Sequence, residues 1–437
     1  MIHVIRGEIT SRKGAKGAKI FINVITRITL FFTLRRESVS SEHQNIRTSE
    51  HLFLPSAWQL FHLWNHVDCL SPANHEDLRV FFCMTHYIYS MTKLFSTLAL
   101  FLTGCVVAIG QAKDTIQFAF TGDIMMGTTY PEVQLPPEDG RLLFQHVAPI
   151  ISGADIAAGN LEGTLCDGGT TKKKMSKVSY AFRTPTSYAP LLVQAGYDFL
   201  SVANNHVNDF GDFGLASTMQ ALDSIGIKYA GIQDVCEWSV LEKDGRRYGF
   251  CAFSHNRKTC DHRNYDTVRR IIRELKEQAD FVIVSFHGGA EGSKHNRLPY
   301  GPETFVGENR GSLREMAHLC IDEGANIVFG HGPHVTRAVE VYNGRFIAYS
   351  LGNFCTPYGI NLRGISGYAP VVTVRVLADG TFIDGQVHPF IQQRGQGPLP
   401  DTEGLVIQEM KRLTELDMPD ADFEITETGA ILRNEER

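Results

Sequence analysis

Five short polar clusters contain the residues of this chain best able to do chemistry. They are Asp123 after Gly122; Asn160 and Glu162; Asn204-Asn205-His206 with Asp209; His287 with Gly288, Gly289 and Glu291; and His331 with His334 across Gly332-Pro333. Carboxylates, amides and imidazoles together form a donor set suited to Mn, Fe or Zn. One or two divalent cations held by such groups would clamp the attacking and departing oxygens of a phosphoryl or acyl transfer. Asp123, Glu162, Asn205, His287, His331 and His334 are the candidate ligands. His206 is the candidate proton donor, since an imidazole titrates near neutrality. Asp209 is placed to orient it and Glu291 to act as a base or supporting carboxylate.

These residue types also have plainer uses. Asn205, His206 and Asp209 could cap the helix that follows them, and Asp123 could form a turn. Arg183 reads equally as an anion binder or a surface ion-pair partner. His255, His262 and His295 read as solvated, and Lys172 to Lys174 as an exposed charge run.

The elements that must position the clusters are those of a layered α/β domain, short apolar strands alternating with amphipathic helices. Thr115 to Thr121, Phe199 to Ala203 and Phe281 to Phe286 read as strands, each leading into a polar cluster. Open α/β sheets collect ligands at the carboxyl ends of their strands. Leu215, Met219, Leu222 and Ile225 share one helical face that Gly226 terminates. Helices are also expected over Val268 to Gln278, Ser312 to Glu323 and Gly404 to Glu415, with a strand near Phe423 to Ile425. Asp244-Gly245, Asn343-Gly344 and Asp379-Gly380 each lie between apolar runs and predict hairpins.

The 437 residues carry a net charge of −6, with 43% hydrophobic and 21% charged residues. That is ordinary globular composition without the basic excess of a nucleic-acid binder, so no nucleic-acid partner is expected. Met91-Thr92-Lys93, the apolar run Leu94 to Ile109 and Gly110-Gln111-Ala112 have the layout of a secretory signal peptide. Leu102-Thr103-Gly104-Cys105 offers a lipobox as an alternative processing site. The expected organisation is an upstream extension without a stable fold (1–90), a signal peptide (91–112), an α/β domain (113–393) and a C-terminal extension packed on it (394–437). The destination would be secreted, periplasmic or cell-envelope, with lipoprotein anchoring as one form. Six cysteines follow Ala112 without a C-x-x-C spacing and read as scattered core thiols, although an oxidising compartment would permit pairing.

Taken in order, Phe120-Thr121-Gly122-Asp123, Asn160-Leu161-Glu162, Tyr180-Ala181-Phe182-Arg183-Thr184-Pro185, Ala203-Asn204-Asn205-His206, His287-Gly288-Gly289, Gly330-His331 with Pro333-His334, and Tyr349-Ser350-Leu351-Gly352-Asn353-Phe354 resemble successive motifs of the CapA family of poly-γ-glutamate capsule synthesis proteins. The resemblance spans roughly Thr115 to Phe390. It implies a calcineurin-like metallophosphoesterase fold, a four-layer αββα sandwich of two mixed sheets. It further implies extracytoplasmic work on an anionic envelope polymer such as poly-γ-glutamate, with capsule-synthesis membrane partners. Arg183 and Asn353 become candidate substrate-binding residues. The wider phosphoesterase fold begins with D-x-H, whereas Met125 stands at that third position here. Two functions follow as expectations: a metal-dependent hydrolase or transferase acting on the polymer or a phosphoester, and a non-catalytic protein that binds the polymer for assembly or export.

Overall fold

The computed structural model describes residues 115–173 and 180–434. The expectations for 1–112, including the signal peptide and the Cys105 lipobox, lie outside these residues. Among those described, no helix is long and apolar enough to cross a membrane.

In chain order the sheet strands are β1 (Thr115–Ile124), β2 (Ile156–Leu161), β3 (Phe199–Ser201), β4 (Lys228–Ala230), β5 (Trp238–Lys243), β6 (Arg246–Ser254), β7 (Phe281–His287) and β8 (Ile327–His331). There follow β9 (Val339–Tyr342), β10 (Arg345–Ala348), β11 (Asn353–Cys355), β12 (Val371–Leu377), β13 (Phe382–His388), β14 (Phe423–Ile425) and β15 (Ala430–Arg433). A nine-stranded sheet has the order β14-β15-β13-β12-β1-β2-β3-β4, with β11 also paired to β1. A six-stranded sheet has the order β9-β10-β8-β7-β6-β5. Both are mixed: β1, β2, β3 and β4 run parallel, as do β6, β7, β8 and β10, whereas β12 and β13 are antiparallel.

The three expected hairpins form, joining β5 to β6, β9 to β10 and β12 to β13. Asp244 and Asn343 adopt positive φ, the conformation that selects these residue types before glycine. The C-terminal strands β14 and β15 pair onto β13, so the tail completes the larger sheet.

The two sheets face each other across an apolar core. Ring centroids of Phe118 and Phe281 are 4.8 Å apart, as are those of Phe120 and Phe329, while Phe199 and Phe250 meet at 5.1 Å. Helices α1 (Ala148–Ile151), α2 (Ala189–Ala195) and α3 (Gly211–Ile225) cover the outer face of the larger sheet through Ile151, Leu192 and Leu222. Helices α4 (Tyr265–Gln278) and α5 (Leu313–Asp322) cover the smaller one through Ile271, Leu275 and Met316. Helix α6 (Leu405–Asp417) sends Val406 and Met410 into the inter-sheet core. The result is a four-layer αββα sandwich.

Side chains alternate along a strand, so the inward face of each strand can be followed residue by residue. At the carboxyl ends this face turns from apolar to polar: Ala158 gives way to Asn160, Ala252 to Ser254, Ile283 to Ser285 and His287, and Phe329 to His331. In β1 strict alternation would carry Asp123 to the opposite side from Phe120. An irregularity between Phe120 and Asp123 inserts one extra residue relative to β2, so Asp123 comes into register with Asn160. The bulge also brings Gly122 against the Gly352 loop, where an added Cβ would collide with the Gly352 carbonyl oxygen.

The six cysteines in the described residues are free, five of them buried, in keeping with core thiols.

Candidate metal centre

Asp123 at the end of β1 is fully buried. Its Oδ1 accepts from Asn160 Nδ2 at 2.8 Å, and its Oδ2 lies 2.8 Å from His334 Nδ1. The smaller sheet brings His287 and His331 side by side at the ends of β7 and β8, with their Nδ1 atoms 3.0 Å apart. His331 Nδ1 also stands 3.8 Å from Asp123 Oδ1, and one ligand atom each from Asp123, His287 and His331 falls within 4.8 Å of the others. Glu162 closes the group, its Oε2 being 2.7 Å from Asn160 Nδ2 and 3.5 Å from His287 Nδ1.

Ser285, two residues before His287 on the same strand face, lies 2.8 Å from His331 Nε2. In the tautomer whose Nε2–H donates to Ser285 Oγ, the Nδ1 lone pair of His331 faces Asp123 and His287. Asn204 supports the other side: its Nδ2 donates to Asn160 Oδ1 at 3.1 Å and to the Leu161 carbonyl at 2.8 Å, and its Oδ1 accepts from the His206 amide at 3.0 Å. Neither residue is marked by the motifs as a ligand; the signal for Ser285 is its period-two spacing from His287.

The electrostatics follow from burial and pairing. Burial opposes the Asp123 charge, but His334, His331 and Asn160 outweigh it and hold the carboxyl below its usual value. Burial, then the charge of Asp123, pushes Glu162 well above the ordinary carboxylate range. Burial drives His331 down to about 4 against the pull of Asp123, and burial followed by neighbouring His331 drives His287 well below its usual value. For His334 burial also acts downward, yet the hydrogen bond and charge of Asp123 override it and raise the imidazole to about 10.

This donor set fits a divalent cation. Two imidazoles are neutral and stand beside a carboxylate, while the Glu162 Oε1, Asn205 Oδ1 and His287 Nε2 atoms are buried without a hydrogen-bond partner among the described residues. Each such orphaned group costs on the order of 1–3 kcal/mol. Neutral imidazole and ionised carboxylate are the forms that bind metal.

His206 and Asp209 form a neighbouring pair, Nδ1 to Oδ2 at 2.8 Å, with His206 Nε2 3.8 Å from Glu162 Oε1. Burial lowers the imidazole pKa despite the carboxylate, so the neutral ring donates from Nδ1 and carries its lone pair on Nε2. In that state Nε2 accepts a proton; the acid role expected from sequence requires the ring to take one up first. The pair does not cap α3, whose N-terminus has no side-chain cap. Lys173, expected as part of a solvated run, instead pairs with Asp209 Oδ1 and donates to the Asn205 carbonyl at 3.2 Å.

Glu291 lies 4.0 Å from His334 Nε2 and 2.8 Å from Arg310 Nη1. Asn353 is buried beside Asp123 in the β1–β11 pairing, and its amide donates to the backbone carbonyls of His334 and Ser366 at 3.2 and 2.9 Å. Arg183 is half-buried between the rings of Tyr130 and Phe210, with Nε bonded to Thr129 Oγ1 at 2.9 Å. His255 and His262, expected to be solvated, are packed inside: the His262 ring fills space left open by Gly288 and Gly311. His295 is exposed.

Two facing mixed sheets, flanked by helices and gathering buried Asp and His groups at their carboxyl edges, define a four-layer α/β sandwich with a candidate cation site at its strand ends. The model of the bacterial capsule synthesis protein PGA_cap family matches residues 117–358, more than half of the chain, and the chain belongs to that family. It is 30% identical over 264 residues to the PGA biosynthesis protein CapA of Bacillus subtilis (strain 168), covering 57% of this chain and 65% of the relative. The capsule biosynthesis protein CapA of Bacillus anthracis is 27% identical over 271 residues, covering 57% and 62%. The chain thus matches less than two thirds of either relative's length. A 5′-nucleotidase precursor from Thermus thermophilus is similar in structure, with a TM-score of 0.37 and 10% identity, covering 70% of this chain and 59% of that one.

Proposed function

We propose that this chain is an exported, metal-dependent hydrolase or transferase that acts on poly-γ-glutamate or a phosphoester of an envelope polymer. The observation that carries this reading is the convergence of Asp123, His287 and His331 on one buried point, with Glu162 and His334 beside it. Asp123, Glu162, His287 and His331 would hold the cation, with Asn205 and His334 at its margin. A bound Mn, Fe or Zn ion supplies Lewis-acid polarisation of a phosphoryl or carbonyl oxygen. The chain's own residues do the rest: Asp209 fixes the His206 ring, and His206 Nε2 accepts the proton lost by the attacking water or hydroxyl and returns it to the departing group.

A second reading retains the family and omits the catalysis, leaving a protein that binds the acidic polymer for assembly or export. Met125 favours it, since an apolar side chain occupies the third position of D-x-H and is fully buried there.

Metal analysis separates the two. Protein purified without chelator or metal resin is expected to carry about one or two equivalents of Mn, Fe or Zn, lost in Asp123→Asn and His331→Ala. No bound metal under any loading condition would exclude the catalytic reading. Export is tested by mass spectrometry of the mature N-terminus, where a chain beginning near Met1 would refute the signal-peptide expectation.

A further inference from the structure

Beyond the ligand group lies a second buried cluster that the proposed chemistry does not use. The His255 ring is 6.1 Å from that of His287 and 6.2 Å from that of His262. Arg310 is buried beside them, its guanidinium stacked on Phe305 at 5.3 Å. Within this cluster His255 Nδ1, both nitrogens of His262 and Arg310 Nε have no hydrogen-bond partner among the described residues. The side chains of His255 and Arg310 are each only 6% exposed. Buried polar groups are ordinarily satisfied, so this cluster is under-partnered, and the atoms it turns toward the exposed Glu308 are His255 Nε2 and Arg310 Nη2.

One carboxylate already faces it. Glu308 Oε2 lies 3.1 Å from Arg310 Nη2 and 3.9 Å from His255 Nε2, while the Glu308 side chain remains 62% exposed. Glu308 belongs to a hairpin, Glu303–Phe305 paired with Glu308–Gly311, whose Val306 has positive φ and is exposed. A β-branched residue in that conformation is strained, which is expected where a turn is held by more than its own preference. The cluster is also wired to the ligand group, because Arg310 Nη1 holds Glu291, which faces His334.

The geometry points to an oxyanion pocket formed by His255 and Arg310 beside the cation site, taking an acidic group of the substrate, with Glu308 occupying it when no ligand is bound. This inference rests on the proposed function for the identity of the substrate. The pocket itself is defined by side chains outside the ligand group. A guanidinium and an imidazole donor together recognise a carboxylate or a phosphate.

The test is equilibrium binding to the full-length chain of a γ-linked glutamate tetramer and, separately, inorganic phosphate, with and without added Mn. Glu308→Gln removes the internal competitor and is expected to bind the favoured anion about three- to fivefold more tightly, the scale of one partly exposed ion pair. Arg310→Lys and His255→Asn are expected to weaken it, the arginine change by about tenfold or more. A fully amidated tetramer should show none of these differences. Tighter binding confined to the tetramer identifies a polymer carboxylate, and tighter binding confined to phosphate identifies a phosphoester. Equal affinities across wild type, Glu308→Gln and His255→Asn for both anions would overturn the pocket. Asp123→Asn separates the two readings: retained anion discrimination in this variant upholds the pocket, while absence of metal from the wild-type chain under any loading condition would sink the catalytic reading alone.

Discussion

His334 and Asp123 form an ion pair with the carboxylate fully buried and the imidazole partly so, Nδ1 to Oδ2 at 2.8 Å, in which the imidazole is held protonated up to about pH 10. The carboxylate is held ionised by the same contact. His334 reaches this position from a backbone with positive φ, two residues after Gly332.

The pair makes stability depend on pH in a definite direction. A raised imidazole pKa stabilises the folded state fully below the unfolded value of about 6.5, and that contribution is lost as pH rises through about 10. Chelator-treated protein should therefore lose thermal stability between these values. His334→Gln should flatten that limb, as followed by melting temperature against pH.

Glu162 links cation binding to proton release. In the metal-free chain its carboxyl is pushed toward the protonated form by burial and by Asp123. Loading Mn or Zn should expel protons in part from this group. Calorimetric titration in buffers of different ionisation enthalpy measures the number, and Glu162→Gln should lower it, leaving the share released from His334.

His206, Asp209 and Lys173 should contribute unequally to turnover of a confirmed substrate. His206→Ala is expected to lower kcat by about 10²–10⁴-fold, the range for loss of a positioned proton-transfer group. Asp209→Asn should give a smaller loss, and Lys173→Met a smaller one still. Unchanged turnover in His206→Ala would remove its role.

Gly122→Ala tests the bulge. Its Cβ would collide with the backbone of Gly352, so strand and loop must separate. A destabilisation of more than about 2 kcal/mol is expected, with loss of bound metal although no ligand is changed. Chemical denaturation and elemental analysis read the two effects.

Arg337 is fully buried and pairs with Glu303 through Nη1 at 2.8 Å and Nη2 at 2.7 Å. Its Nε and Nη2 also donate to the His295 carbonyl at 3.0 and 2.7 Å, which ties the Glu291 loop to the segment after β8. Arg337→Met should cost about 3–5 kcal/mol, because it strands a buried carboxylate. Glu303→Gln in the same background should recover part of the loss in denaturant midpoint.

Much of the fold is legible in the sequence because its signals are local. Asp244-Gly245, Asn343-Gly344 and Asp379-Gly380 set turn geometry within a few residues, and Gly226 stops α3 where the apolar periodicity ends. The ordered polar clusters likewise indicate strand ends. What the sequence conceals depends on contacts distant along the chain. His262 looks like a loop histidine until Gly288 and Gly311 are seen to leave room for its ring. Lys173 looks solvated until Asp209, 36 positions away, comes beside it. The inward turn of Asp123 depends on one extra residue in β1, which only its register with β2 exposes.

Because the donor atoms are divided between two sheets, a cation held at this centre would test assembly. Asp123 and Glu162 arrive with one sheet, His287 and His331 with the other, and neither half brings both partners of the convergent group. A chain whose sheets have formed but not docked presents only isolated carboxylates or isolated imidazoles. High-affinity metal uptake would therefore report the finished sandwich and pull late folding intermediates toward it.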